Sequence, residues 1–150
     1  MTSWAPPPGD DVSLLPAGRQ WAMVCAPTAL GEWVTTYGCS GAMIAGPAGS
    51  AWLIPPEDTS GWRRMHQPIA RHVDVIARGH ALVPHAGRTR GPGPHWVHPP
   101  GIPHGWLTAV PLLYSDLAIA AELHYGPAPP TAPCLCGGRG HPACAADAGT

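Results

Sequence analysis

Six of the eight basic residues of this 150-residue chain lie between Arg63 and Arg90, where Asp74 is the one acid. The stretch runs into the loop Arg88-Thr-Arg-Gly-Pro-Gly-Pro-His-Trp-Val-His-Pro-Pro100. Guanidinium forks beside glycines that let backbone N–H groups approach make a seat for an anion, phosphate above all. On that reading Arg88 and Arg90 take phosphate, Gly91 and Gly93 give close backbone approach, and His95 or Trp96 offers a stacking face to a base. Arg71 and Arg78, with Arg63 and Arg64, would extend the track. Plainer readings exist for the same residues: solvent-facing arginines, a core tryptophan between prolines, a Gly/Pro turn. The net charge of −1 hides the local excess, and a pI of about 6.7 is far from that of a uniformly basic nucleic-acid binder.

A second chemistry is available in the tail. Cys134-Leu-Cys-Gly-Gly-Arg-Gly-His-Pro-Ala-Cys144 carries three thiols and an imidazole within eleven residues. Cys134, Cys136, His141 and Cys144 form a tetrahedral zinc set, with glycines free to make tight chelate turns. The spacing resembles a retroviral-type zinc knuckle, tighter at both ends. An unstructured tail with incidental cysteines fits the same residues. A third possibility is the histidine group His80, His85, His95, His98 and His104, since imidazole suits zinc, copper and iron and could serve a metal hydrolase. No His-Glu-x-x-His spacing supports it, and groove histidines need no metal.

Other catalytic templates fail. Two-metal nucleotidyl transfer requires carboxylates on one strand face, an acid-x-acid pair, and the chain has none: Asp10-Asp11 and Glu57-Asp58 are adjacent and beside prolines. There is no Gly-x-Ser-x-Gly elbow for a Ser/His/Asp triad. Lysine is absent altogether, which excludes a P-loop and a Schiff base. Cys25 and Cys39 read as buried core thiols rather than nucleophiles. The balance leans away from an enzyme.

The elements that must position these groups form one domain. Residues 1–11 are Pro/Gly/Asp-rich and expected to be disordered; 12–126 have the pattern of a folded domain; 127–133 form a Pro-rich linker; 134–150 are the Cys/His tail, also expected to be disordered unless it binds zinc. Within the domain, Gln20–Cys25 predicts a strand and Thr28–Tyr37 a helix opened by Pro27 and closed by Gly38. Ala42–Ala45 and Ala51–Ile54 predict an antiparallel pair across the five-residue turn Gly46–Ser50. His72–Ile76, Ala81–Val83 and His95–His98 predict further strands, and Leu112–Tyr125 a second helix stopped by Gly126 and Pro127. The expected class is α+β, a mostly antiparallel sheet with two helices.

The apolar fraction of 45% and seven tryptophans suit a packed interior, while 21 prolines and 19 glycines suit long loops. No apolar run approaches a membrane span, and residues 1–11 lack a signal-peptide pattern. Five cysteines, three of them near the end, fit a reducing compartment. The expectation is a cytoplasmic protein with no membrane partner.

Several of these segments together carry a resemblance. The order Trp21-Ala-Met-Val, Ala29-Leu-Gly, Gly41-Ala-Met-Ile, Trp52-Leu-Ile-Pro-Pro, Gly61-Trp, Gly79-His-Ala-Leu-Val-Pro and the Arg88–Pro100 loop resembles small proteins of high-GC bacteria related to the N-terminal bifunctional DNA primase/polymerase (prim-pol) domain. The resemblance covers about Leu14 to Leu123. It implies a primase-like unit whose sheet cradles a nucleotide, with the Gly/Pro loop near the triphosphate or template. In active members an acidic pair holds metal and a Ser-x-His element contacts the nucleotide. Here the acidic pair has no match, and Pro84-His85-Ala-Gly-Arg88 keeps the histidine without the serine frame. The resemblance therefore implies an accessory member that binds single-stranded DNA or a nucleotide, alongside a replication-type protein partner, without polymerising. The zinc-dependent interaction module is the alternative.

Overall fold

The computed structural model describes residues 4–38, 42–65, 69–97 and 105–126. Seven strands and three helices follow in the order β1 (Val12–Pro16), β2 (Ala22–Ala26), α1 (Thr28–Tyr37), β3 (Met43–Gly46), β4 (Gly49–Ile54), α2 (Thr59–Met65), β5 (Asp74–Ile76), β6 (His80–Pro84), β7 (His95–Trp96) and α3 (Val110–Tyr125). The class is α+β, as expected. Every strand pair is antiparallel. None of the helices is long and apolar enough to cross a membrane among the described residues.

Two sheets form. The larger has the order β5-β2-β4-β3-β7, and the smaller is β1 paired with β6. Central strand β2 and the Ala51–Ile54 part of β4 are apolar without interruption because both of their faces are covered. Their side chains alternate between two cores. Ala22, Val24, Ala26, Trp52 and Ile54 meet α1, α2 and α3 through Leu30, Val34, Trp62, Leu113 and Leu117. Met23, Ala51 and Leu53, with Trp21, Ile44 and Trp96, meet Ala81 and Val83 of β6 and Leu15 of β1. The molecule is therefore three layers: helices, five-stranded sheet, two-stranded sheet.

Helix α1 spans the expected residues, with Pro27 as its N-cap and the Gly38 amide donating to the Val34 carbonyl at 2.8 Å. The turn after β3 is tighter than expected: Gly46 pairs with Gly49, leaving Pro47 and Ala48 at the tip. Strands β5 and β6 do not stay in one sheet. β5 pairs with β2, whereas β6 crosses to β1. Helix α2 and strand β1 carry too few residues and too weak a periodicity to stand out in the sequence.

The described part of the N-terminal segment, residues 4–11, runs alongside the chain that follows β6. Carbonyls of Pro7, Gly9 and Asp11 accept hydrogen bonds from the amides of Ala86, Gly87 and His85 at 2.8, 2.7 and 2.8 Å. Trp4 packs on Trp21, with ring centroids 6.2 Å apart. Backbone groups paired in this way, with an aromatic ring against the core, hold a proline-rich arm that has no secondary structure of its own.

Helix α1 approaches β4 so closely that a methyl at Gly31 would sit 1.8 Å from Ser50 Oγ and 2.4 Å from Ser50 Cβ. Alanine normally gains about 1 kcal/mol over glycine inside a helix. Here Gly31→Ala is expected to cost about 1–3 kcal/mol by overpacking. Urea midpoints for Gly31→Ala and for Gly31→Ala/Ser50→Gly check this, since removing the Ser50 side chain should recover most of the loss.

Candidate anion-binding site

The Arg88 loop is held by its own arginine. Arg88 Nε donates to the Pro94 carbonyl at 2.9 Å, Nη1 to the Asp10 carbonyl at 3.0 Å, and Nη2 to the Pro92 carbonyl. The Arg88 carbonyl in turn accepts the Trp96 amide at 2.8 Å. A guanidinium is suited to this because its donors lie in a rigid planar fork that can reach several acceptors at once. The group expected to take phosphate thus ties loop, β7 and N-terminal arm together.

Trp96 is fully buried, donates its indole N–H to the Pro84 carbonyl at 3.0 Å, and meets Trp106 edge-on at 4.8 Å. It therefore has no face for a base, and the stacking role expected of it is corrected to a core role. His95 is half-buried, with Nδ1 2.9 Å from the Gly93 carbonyl. Gly93 has φ +82°, which a side chain rarely adopts, so this position is a turn requirement. Gly91 and Arg90 are exposed at the loop tip.

A different pair of arginines is brought together by the two-stranded sheet. Where β1 ends, the Ala17 amide donates to the Gly79 carbonyl and the Gly18 amide to the Trp21 carbonyl, both at 2.8 Å. Gly18 has φ +106°, and a methyl there would lie 2.7 Å from the Ala77 carbonyl oxygen. The turn carrying Arg19 is thereby locked against the turn carrying Arg78. His80, in register with Pro16, is exposed beside them. Both arginines are exposed, and neither has a hydrogen-bond or ion-pair partner among the described residues. Adjacent cations without a carboxylate raise the local positive potential and attract an anion. Sequence inspection found Arg78 but not Arg19, which stands far outside the basic stretch and is delivered by β1–β6 pairing.

The remaining candidates fall elsewhere. Arg71 is exposed, next to His72 near the end of α3. His72 stacks on Tyr125 with centroids 3.9 Å apart and planes 11° apart. Burial, then the nearby Arg71 and His124, hold the His72 imidazole below its ordinary pKa. Burial first, and Asp74 second, push the Cys25 thiol up to about 11, so it is no nucleophile at neutral pH. Ser13 Oγ lies 2.6 Å from His85 Nε2. The pair joins β1 to the end of β6, and no carboxylate hydrogen-bonds the imidazole among the described residues. No group of three or more His, Cys, Asp or Glu side chains is arranged to hold a metal among them either. His98, His104 and the set Cys134, Cys136, His141 and Cys144 lie outside the described residues, as do the side chains of Arg63 and Arg64.

Arg88→Ala should destabilise the fold by about 2 kcal/mol through the carbonyls it leaves unpaired, and Arg88→Lys should recover little because an ammonium cannot span them. Arg90→Ala should stay within about 0.5 kcal/mol; chemical denaturation of the three variants checks the contrast. For His72 the folded pKa lies below the unfolded one, so its contribution is present above the unfolded pKa and lost as pH falls through the folded pKa. Between about pH 7 and pH 5 the wild type should lose more stability than His72→Gln, measured by urea midpoint. No protein-family model, curated protein or solved structure matches this chain, so residue chemistry and geometry carry the functional argument.

Proposed function

We propose that this chain is an accessory binding protein for a phosphate-bearing polymer, single-stranded nucleic acid foremost, gripped through Arg19 and Arg78. The observation that carries the reading is the locked juxtaposition of the two turns that carry these exposed, unpartnered arginines. Each can take a phosphate through two parallel N–H bonds. His80 stands beside them as a further hydrogen-bonding group.

A polymer fits better than a mononucleotide because the free cations are spread out. Arg19 and Arg78 stand at the Pro16/His80 end of the two-stranded sheet, and Arg90 follows the loop that leaves the Val12/Pro84 end. A five-residue strand spans about 17 Å, more than a single nucleotide bridges. Recognition is through backbone charge, since no tryptophan is exposed among the described residues and the exposed rings of Tyr37 and Tyr125 belong to the helical layer. The affinity is therefore modest and strongly salt-dependent. The reading keeps the accessory primase/polymerase relative implied by the sequence resemblance, with phosphate moved from Arg88 to Arg19 and Arg78.

The test is fluorescence anisotropy of labelled oligothymidine at low and moderate salt. The wild type should bind in the micromolar range, with log affinity falling by about 0.7 per phosphate contact for each decade of salt. Arg19→Ala/Arg78→Ala should weaken binding at least tenfold. Absence of binding at low salt, or unchanged binding by the double variant, would overturn the proposal.

A further inference from the structure

Two segments far apart in the sequence bring three basic side chains around one tyrosine ring. Arg71 and His72 stand just before β5, and His124 and Tyr125 end α3. His72 stacks on the Tyr125 ring with centroids 3.9 Å apart, and His124 meets the same ring edge-on at 4.5 Å. Both segments are anchored from within. The His72 and Val73 amides donate to the Ile69 carbonyl at 2.9 and 3.1 Å, and Ile69 and Val73 are buried in the same core as Leu117 and Ala121 of α3. Arg71, His124 and Tyr125 are exposed and His72 is half-buried, so the group lies at the surface.

The bases around this ring are not balanced by acids. Arg71 and His124 are the charged neighbours that act on the His72 imidazole, and both oppose its protonation. No hydrogen bond or ion pair joins Arg71, His72 or His124 to a carboxylate among the described residues. Two acids stand close in sequence. Asp74 is in register with Cys25, which lines the second core, so its side chain lies on the sheet face away from α3. Glu122 is exposed one turn before Tyr125. The C-terminal end of α3 adds about half a negative charge, and its Glu122 carbonyl already accepts the Gly126 amide. With both imidazoles protonated, three full cations outweigh Glu122 and the helix end together, and cations held in this way attract an anion.

We infer that Arg71, His72 and His124 form a second oxyanion site, which takes a phosphate group when the imidazoles are protonated. The Arg71 guanidinium supplies two parallel N–H donors, and each imidazolium supplies ring N–H groups. Stacking on Tyr125 holds His72 in place before an anion arrives, so little side-chain ordering opposes binding. Anion and protons favour one another. A bound anion offsets the repulsion that Arg71 and His124 exert on a charged His72, so affinity rises as pH falls. The site stands on its own residues and does not depend on Arg19 and Arg78.

Proton NMR of the histidine rings in the full chain tests it, with His72 assigned through its contact with Tyr125 and separated from His124 by the exposed variant His124→Gln. Sulfate is the probe, because a phosphate group itself titrates in the same pH range, and sodium chloride at matched ionic strength is the control. Sulfate should move the His72 titration midpoint of the wild type upward by about one pH unit. By linkage it should then bind about tenfold more tightly below that midpoint than above it. Arg71→Ala changes an exposed side chain and should remove most of the upward movement while the stacked Tyr125 resonances stay in place; Arg71→Gln replaces it if the alanine variant does not fold. Inorganic phosphate and oligothymidine with and without a 5′-phosphate, compared at one acidic pH, distinguish a free ion from a strand end, and a response to either upholds the site. The same His72 midpoint in sulfate and chloride would overturn the inference, as would a sulfate response that survives loss of the Arg71 guanidinium. Arg19→Ala/Arg78→Ala should keep the full sulfate response, so this site and the polymer grip fail separately.

Discussion

Two-sided burial of β2 and β4 is the constraint from which the architecture follows. A strand apolar on both faces cannot border water on either, so the five-stranded sheet needs two covers. The helices supply one through Leu30, Trp62, Leu113 and Leu117. Too little of the chain is helical to supply the other, which comes from β1 and β6 with Leu15, Ala81 and Val83. A two-stranded sheet is marginal by itself. It is held here by its packing on the second core and by polar ties at its ends.

Those ties explain why residues with the look of a ligand site are structural. The Val12/Pro84 end of the second cover is secured by a proline-rich arm and a Gly/Pro loop, neither of which has a regular hydrogen-bond ladder. Their carbonyls need donors, and Arg88 provides three to Asp10, Pro92 and Pro94. Trp96 closes the same region from within by donating to Pro84. The same cover leaves Arg19 and Arg78 exposed at its other end, where adjacent turns leave no carboxylate to pair with them.

Much of the core was legible in the chain because it is written locally. Helix α1 is marked by Pro27 and Gly38, α3 by its spacing and Gly126, and the β3–β4 pair by two apolar runs around a glycine turn. Strand β1 was not legible: Val12–Pro16 ends in proline, exposes Leu14, and finds its partner in β6, with Ser13 and His85 standing 72 residues apart. Helix α2 was hidden for a similar reason, its fully buried anchor Trp62 standing in sequence among a glycine and two arginines.

By itself, then, the sequence determined the class, the main helices, the apolar runs of the central strands and the lack of any acid-x-acid metal pair, because these depend on residue type and short-range periodicity. Tertiary structure alone decided which arginines are free. An arginine next to glycines reads the same whether its fork faces solvent or neighbouring carbonyls, and the difference rests on where a distant strand brings the acceptors. Long-range pairing of β1 with β6 put Asp10 within reach of Arg88 and set Arg19 against Arg78. That one pairing turned the apparent site into a clamp and made a new one from a residue outside the basic stretch.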